Sequence, residues 1–265
     1  MKTVDLVLVD EKVQHLIRRT GQFASAEFAR FSYDQVEFKG RKDPFSYVDV
    51  TAEKMLKEGC KLILPGSGFV NEESENQPSE NGFTWIIDPI DGTTNFTHGV
   101  PHYSISVALI FEDEAKLGYV YAPETQDMFR ATKGKGAFLN DNPISVSQRT
   151  ELIQALTGTG FPPMDRDQLE KILRTVVEIM DKTHAIRRMG SAALDLAAVA
   201  CGRYDAFFEH NLKPWDVAAG MLLVREAGGT VSDFHGGDNY LYGRQILASN
   251  GHLHEALLQI IQKGL

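Results

Sequence analysis

The stretch WIIDPIDGTTNFTHG, residues 85–99, combines the pattern of a buried strand with a concentration of negative charge. Trp85 to Ile87 are apolar, Asp88 and Asp91 follow three residues apart, and a Gly-Thr-Thr turn begins at Gly92. Two carboxylates at this spacing repel each other and lose hydration, so a fold keeps them together only with a compensating cation or proton. The stretch therefore predicts a strand that ends at a charged site.

The turn itself is predicted to combine a cation site with an anion site. We expect Asp88, Asp91 and the carbonyl of Ile90 to face one point, and oxygen ligands alone favour Mg²⁺ or a related hard cation. From Gly92 a short helix would offer free amides to an anion such as a phosphate. The alternative is a plain turn in which Asp88 caps Thr93 and Asp91 is hydrated. The D-x-x-D spacing alone leaves both interpretations open.

Two further acidic positions bear on this choice. Glu72 and Glu73 follow a short apolar strand in FVNEESE, and Asp216 lies in the first turn of a predicted helix in KPWDVAAG. Taken alone, Glu72 is typical of a surface carboxylate, and Asp216 is typical of a residue that caps a helix or interacts with its dipole. Neither position identifies a site without the others.

Length and composition restrict the class of protein. The chain has 265 residues, 43% hydrophobic content and a formal net charge of -9, which is enough for a large core and argues against nucleic acid as the main ligand. Cys60 and Cys201 are the only cysteines, so neither a disulfide framework nor a structural zinc site is expected. No apolar run reaches the roughly 20 residues of a membrane span. We expect a cytoplasmic protein that does not bind membranes.

Periodicity predicts a different organisation in the two halves of the chain. In the first half we expect a long amphipathic helix over 5–31, a second helix capped by Thr51 after a loop at 39–50, a surface loop at 74–82, and an antiparallel meander over 103–132. The second half predicts helices over 168–182, 191–201, 214–227 and 253–263, with strands at 185–186 and 204–209 between them. We predict one domain with two subdomains, 1–147 and 148–265.

Several segments together resemble the inositol monophosphatase family of Mg²⁺-dependent, lithium-sensitive phosphomonoesterases. WIIDPIDGTTNFTHG and PWDVAAGMLLVREAGG resemble its two signature motifs, and FVNEES resembles its Gly-Glu-Glu loop, with Asn71 where the family usually has glycine. SYVDVTAEKML, ATKGKGAFLNDNPISVS and RRMGSAALDLAAVACGRYDAFFE are also similar to family segments. The resemblance spans about residues 36–250. It implies an α/β fold, the αβαβα sandwich of the inositol monophosphatase and fructose-1,6-bisphosphatase type.

The resemblance also implies roles for individual residues. Two or three Mg²⁺ ions would be bound by Glu72, Asp88, the Ile90 carbonyl, Asp91 and Asp216, with Asp49 near a third ion. Thr93, oriented by Asp49, would position the attacking water, and the amides of Gly92 and Thr93 would contact the phosphate. The substrate hydroxyls would contact Gly190, Ser191, Ala192 and Glu209. Lys39 would correspond to a basic residue near the site.

These roles predict the hydrolysis of a small phosphomonoester, first of all myo-inositol monophosphate, by an activated water in an in-line displacement. Alternative substrates are fructose 1,6-bisphosphate, 3′-phosphoadenosine 5′-phosphate and histidinol phosphate. Glu209 favours a polyol over a second phosphate, because a carboxylate repels an anion. The resemblance implies a homodimer. A hypothesis of another class is that the chain serves mainly as a binding partner in a larger assembly.

Overall fold

A computed structural model describes residues 4–40, 43–162 and 164–264, without the side chains of residues 39, 40 and 43. The prediction for Lys39 therefore lies outside the described side chains. The helices are α1 Leu6–Phe28, α2 Tyr47–Ile63, α3 Thr93–Thr97, α4 Arg166–Lys182, α5 Ala192–Ala200, α6 Pro214–Glu226 and α7 His254–Gly264. The strands are β1 Glu37–Gly40, β2 Asp43–Phe45, β3 Gly68–Asn71, β4 Phe83–Asp91, β5 Ser104–Phe111, β6 Glu114–Ala122, β7 Asp127–Thr132, β8 Gly136–Leu139, β9 Asn142–Ile144, β10 Leu156–Thr159, β11 Ala185–Arg187, β12 Ala206–His210, β13 Thr230–Ser232 and β14 Gln245–Ser249.

A seven-stranded sheet contains β3 to β9 in chain order. Only β3 and β4 pair in parallel, and the other neighbours are antiparallel, as expected for a meander. Its central strands are apolar on both faces: Trp85 and Ile87 pack under α1 and α2, whereas Ile86 faces the opposite side. Burial on both faces explains why these strands are continuous apolar runs rather than alternating ones.

A five-stranded sheet in the order β11-β10-β12-β14-β13 lies on the other side of α5 and α6. Its outer face packs against α4 and α7 through a separate apolar cluster that includes Ile172, Phe208 and Leu257. The layers are therefore α1 and α2, the large sheet, α5 and α6, the small sheet, and α4 and α7. This arrangement confirms the predicted αβαβα sandwich.

The central layer joins the two halves of the chain. α5 and α6 come from the second half, but they pack on β5, β6 and β7 as well as on the small sheet. Both helices are rich in small residues, and α6 is buried from Val217 to Val224. Helices between two sheets have no solvent face, which accounts for their weak amphipathic pattern.

The start of the second helix differs from the prediction. The helix begins at Tyr47 with Ser46 as its N-cap, and the side chain of Asp49 accepts the Ser46 amide in a capping box. Thr51 lies inside the helix, where its hydroxyl donates to the Tyr47 carbonyl at 2.6 Å. Ser46 and Thr51 both suit a cap by residue type, and only Ser46 has an acid three residues later. The expected loop at 39–50 therefore includes β2 and the first turn of α2.

Three strands of the small sheet, β10, β13 and β14, were not predicted. Each has only three to five residues, too few for a periodic pattern. The segment 74–82 has no regular element but is tied to β3, since Phe69 and Gln77 exchange two backbone hydrogen bonds of 2.8 Å. The division into subdomains at 147 stays a prediction. Within the described residues, every helix is too short or too polar to cross a membrane.

Candidate active site

β4 carries two carboxylates to one point because its last residues leave the regular ladder. Asp88 pairs with Ser106 and Asp91 pairs with Ser104 on β5, so β4 has two residues where β5 has one, and the one extra residue makes a bulge. The Asp88 carboxylate accepts the Ile90 amide at 2.9 Å, which closes the bulge. A bulge changes the direction of side chains at a strand end. Asp88 therefore stabilises the bulge, and it does not cap Thr93.

The first turn of α6 adds a third carboxylate. Oxygen atoms of Asp88, Asp91 and Asp216 lie within 4.8 Å of one another. The Lys213 amide donates to Asp216 at 2.7 Å, and the Ser106 hydroxyl donates to the Trp215 carbonyl at 3.0 Å. The second contact ties the start of α6 to the large sheet. The fold thus brings together three of the acids that the sequence assigned to one site.

Asp91 is held by the N-terminus of α5. Its carboxylate accepts the Ser191 hydroxyl at 2.5 Å and the Ala193 amide at 2.8 Å. This contact carries Gly190, Ser191 and Ala192 to the acids. A β-carbon at Gly92, whose φ is 98°, would lie 3.1 Å from the Gly190 carbonyl oxygen. Glycine at position 92 is therefore required both for its left-handed backbone and for this close approach.

Thr93 and Asp49 also meet. The Thr93 hydroxyl lies 3.2 Å from a carboxylate oxygen of Asp49 and 2.9 Å from the Ile90 carbonyl oxygen. Asp49 is fully buried, and its other oxygen accepts the amide and hydroxyl of Ser46. The two residues are 44 positions apart in sequence, and their contact agrees with the geometry expected from the resemblance.

Glu72 and Glu73 follow directly on β3, next to Asp88 across the parallel pair. The negative charge of Glu72 is one of the causes that raise the pKa of Asp88. The Glu73 amide donates to the buried carboxylate of Glu53 at 2.7 Å, which fixes the turn that presents Glu72. Asn71 ends β3 without a left-handed φ, so the usual glycine is not needed there. Glu53 was missed, although it lies one helical turn after Asp49 on the buried face of α2.

Glu209 lies on β12, close enough to the cluster for its charge to act on Asp216, and is also buried. Gly160 makes room for it, because a β-carbon at that position would overlap the Glu209 carboxylate at 2.0 Å. The charges of Asp195 and Asp91 act on Glu209, and Arg188 opposes them. Asp195 was not predicted to belong to the site. Its signal in the sequence is an acid within the otherwise apolar stretch AALDLAAVA.

Burial is the main electrostatic effect on these acids. Burial raises the pKa of Asp91 to about 6, although the hydrogen bonds from Ser191 and Ala193 act in the opposite direction and lower this pKa. Burial and then neighbouring charges raise the pKa values of Asp88 and Asp216 well above the usual range. No lysine or arginine in the described part of the chain forms an ion pair with any of the three. The cluster therefore has an uncompensated charge that a cation or protons must balance.

The layered fold and the acidic cluster between its sheets define a class of phosphomonoesterase. Comparison with known proteins identifies this class. A sequence profile of the inositol monophosphatase family matches residues 6–265. The chain belongs to this family and is a phosphoric monoester hydrolase of the inositol-1-monophosphatase type.

Named relatives cover nearly the whole chain. A protein of Neisseria meningitidis serogroup B, named putative Nus factor SuhB, is 44% identical over 92% of this chain and 94% of its own. An inositol-1-monophosphatase of Rhizobium meliloti is 42% identical over 92% of each chain.

Solved structures agree with this membership. The crystal structure of the SuhB protein from Bartonella henselae has a TM-score of 0.92 and 37% identity, and covers 97% of this chain and 99% of its own. The crystal structure of an enzyme described as an inositol monophosphatase/NADP phosphatase, complexed with NADP and Ca²⁺, has a TM-score of 0.86 and 25% identity. It covers 98% of this chain and 97% of its own.

The raised pKa of Asp91 predicts how stability depends on pH in protein freed of divalent cations by a chelator. The folded pKa is about 6 and the reference value is 3.8, so the wild type loses stability as pH rises through this interval. The side chain introduced by Asp91→Asn cannot ionise, so the variant does not lose this stability as pH rises. We expect the variant to gain on the order of 2 kcal/mol in free energy of unfolding relative to wild type between pH 4 and pH 7.

Urea denaturation followed by circular dichroism across this pH range measures the difference. Asp113→Asn, at an exposed hairpin turn, is the matched control and is expected to give a flat difference. A flat difference for Asp91→Asn as well would contradict the assignment of the raised pKa.

Proposed function

We propose that the protein hydrolyses a small phosphomonoester with Mg²⁺ as cofactor, and that myo-inositol monophosphate is the first candidate substrate. The observation that carries this proposal is the convergence of three carboxylates, from β4 and α6, within 4.8 Å. No basic side chain in the described ranges pairs with them, and family membership supports phosphate ester chemistry.

The donor set fits a hard divalent cation. Asp88, Asp91 and Asp216 offer only oxygen atoms. Glu72 lies next to Asp88 across the β3–β4 pair, and the Ile90 carbonyl lies between Asp88 and Asp91 in the chain. We propose that these five residues hold two or three Mg²⁺ ions. The structure with NADP and Ca²⁺ supports a divalent cation in a relative. Bound Mg²⁺ supplies charge neutralisation for a phosphate and lowers the pKa of water.

Thr93 and Asp49 form the proposed proton path. A threonine hydroxyl both donates and accepts, so Thr93 can donate to Asp49 while it accepts a hydrogen bond from the attacking water. Burial raises the pKa of Asp49, although the hydrogen bonds from Ser46 and Thr93 act to lower it. The raised pKa makes the Asp49 carboxylate a better proton acceptor at neutral pH. The amides of Gly92 and Thr93 are proposed to orient the phosphate.

The segment from Gly190 to Ala192 and the Glu209 carboxylate are proposed to orient the leaving group. The Ser191 hydroxyl donates to Asp91 and accepts the Leu194 amide at 3.3 Å. One oxygen lone pair, 3.3 Å from the Ser104 hydroxyl, is what it has left to offer to a substrate hydroxyl. Glu209 accepts hydrogen bonds from a polyol and disfavours a second phosphate. This preference supports inositol monophosphate over bisphosphorylated sugars and nucleotides.

Phosphate release from a panel of esters tests the activity. The panel contains myo-inositol 1-phosphate, fructose 1,6-bisphosphate, 3′-phosphoadenosine 5′-phosphate, histidinol phosphate and NADP. We expect release only with Mg²⁺, and we expect Asp91→Asn to lower kcat/KM at least about 10³-fold because the acids act as one unit.

Asp113→Asn is the matched control for this substitution. It makes the same chemical change at an exposed turn with φ of 65°, a conformation that asparagine tolerates, and is expected to leave the rate unchanged. Release that is independent of Mg²⁺, or activity of Asp91→Asn within tenfold of wild type, would refute the proposal.

The role of Glu209 predicts a change of substrate preference. Glu209→Gln removes the charge that repels a second phosphate, so the ratio of kcat/KM for bisphosphorylated substrates over inositol 1-phosphate is expected to rise about tenfold. Because the pKa of Glu209 is raised, the rise is expected to grow with pH. Glu112→Gln, at an exposed position, is the control, and an unchanged ratio in Glu209→Gln argues against the role.

A second candidate function is binding to a partner protein. The observation that favours it is the name Nus factor, which relatives from Neisseria and Escherichia coli carry. We propose that this chain has a protein-binding role that does not require the acidic cluster. A homodimer and inhibition by lithium are further properties that the resemblance implies, and both stay predictions.

Affinity capture from cell extract, with wild type and Asp88→Asn as bait, separates the two functions. A partner role independent of the site predicts that both baits retain the same proteins with or without Mg²⁺. Loss of the captured proteins in Asp88→Asn would tie partner binding to the site, and an absence of specific capture would contradict the second function.

A further inference from the structure

Asn95, in the short helix α3, ties together two segments that are far apart in the chain. Its side-chain nitrogen donates to the His102 carbonyl oxygen at 2.7 Å and to the Met189 carbonyl oxygen at 2.8 Å. Asn95 and Met189 are 94 positions apart. His102 lies between α3 and β5, and Met189 lies between β11 and α5. One side chain therefore connects the turn that follows β4 to the loop that leads into α5.

These two bonds use both donors of the amide. A side-chain amide nitrogen has two N–H groups, and a carbonyl oxygen accepts a hydrogen bond but cannot donate one. The amide oxygen of Asn95 therefore cannot take the place of the nitrogen in either contact, which fixes the orientation of the group. Aspartate has nearly the same shape but no donor, and its oxygen atoms would face two carbonyl oxygens. The contacts thus require asparagine rather than aspartate at position 95.

The backbone segments that meet at Asn95 pass very close to one another. A β-carbon at Gly190 would lie 3.1 Å from the side-chain nitrogen of Asn95. A β-carbon at Gly92 would lie 3.1 Å from the Gly190 carbonyl oxygen and 3.2 Å from the His102 carbonyl oxygen. Contacts this short leave no room for a side chain at either glycine. Gly92, Asn95, His102 and Gly190 form one close-packed group, which we call the junction.

The loop before α5 depends on the junction for its position. Met189 is 40% exposed, so core packing does not hold it. Among the residues that the structure describes, the bond from Asn95 is the only hydrogen bond to the backbone of Met189 or Gly190. Further along, the Ser191 hydroxyl donates to Asp91 at 2.5 Å. Asn95 therefore holds the start of the loop, and Asp91 holds its end.

The junction lies between the two ends of the proposed substrate site. On one side, the amides of Gly92 and Thr93 are proposed to orient the phosphate. On the other side, residues 190–192 are proposed to orient the leaving group. An ester that contacts both ends needs them at one fixed separation. A loop that is already held in its bound geometry does not have to be ordered when the substrate binds.

We infer that Asn95 is a positioning residue, which fixes the leaving-group end of the site relative to the phosphate end. It acts through the carbonyl groups of His102 and Met189 rather than through contact with the reacting atoms. The inference rests on the proposed function, since it concerns an ester that reaches both ends. Its consequence depends on the substrate, because loss of the two bonds affects a large hydroxylated leaving group more than a short one.

Phosphate release from two esters with Mg²⁺ tests this dependence. Asn95→Asp and Asn95→Leu both remove the two donors at nearly constant size, and the second adds no charge. We expect kcat/KM for myo-inositol 1-phosphate to fall about 30-fold. Ethyl phosphate has no hydroxyl to reach residues 190–192, and its kcat/KM is expected to fall at most about threefold. A loss of folded enzyme lowers both values by the same factor, so the ratio of the two reports the positioning.

Amide hydrogen exchange measures the loop directly and needs no substrate. The Ala193 amide is a reporter, because it donates to Asp91 at 2.8 Å. In protein freed of divalent cations, we expect exchange in residues 190–193 to be at least about tenfold faster in both variants than in wild type, because the start of the loop is released. The strands of the large sheet are expected to keep their wild-type exchange.

Asn142→Asp is the matched control for both measurements. The side-chain nitrogen of Asn142 donates to the Asn140 carbonyl oxygen at 3.2 Å at an exposed position, so the substitution removes a bond of the same kind. Asn142 belongs to β9, which lies five strands from β4 in the large sheet. This variant is expected to keep both rates and the wild-type exchange of residues 190–193.

Either of two results would overturn the inference. One is a ratio of the two kcat/KM values that stays within about twofold of wild type in both variants of Asn95. The other is unchanged exchange in residues 190–193. If the wild type releases no phosphate from either ester, the proposed function fails, and the exchange measurement still decides whether Asn95 holds the loop.

Discussion

The repulsion among buried carboxylates at the end of β4 is the constraint on which the site depends. Beyond the effect of burial, the charges of Asp91 and Asp216 raise the pKa of Asp88, and the charge of Asp91 raises the pKa of Asp216. Such a cluster costs stability in the bare protein, so the surrounding fold has to be stable without it. The large sheet supplies this stability, because the strands that carry and flank the acids are buried on both faces.

The helices of the central layer position the acids of the site. α6 brings Asp216, and the N-terminus of α5 holds Asp91 through Ser191 and the Ala193 amide. Both helices are fixed between two sheets, so the distances among the acids are set by core packing rather than by loops. Sites on such rigid elements keep their geometry when the ligand is absent. A change in the packing of α5 or α6 on the large sheet would therefore move an acid as well as lower stability.

Much of this could be predicted from the sequence, and the failures have physical reasons. The long helix, the meander and the D-x-x-D turn have local patterns, and the motifs carried the assignments of Asp49 and Thr93, which meet in the structure. The start of α2 was placed at Thr51 because a cap was judged by residue type without its capping box. Glu53, Asp195 and Gly160 were missed because their roles depend on what they face across the fold, which no local pattern contains.

The outer layer follows a different rule from the inner ones. α4 closes the small sheet through Ile172, Val176 and Ile179, so its exposed residues Leu173, Val177 and Met180 have no role in the chain's own core. The acids lie on β4 and α6, in the large sheet and the central layer, and α4 lies beyond the small sheet. Substitutions on the outer face of α4 are therefore expected to leave the acids undisturbed, because distant sites without shared partners contribute independently.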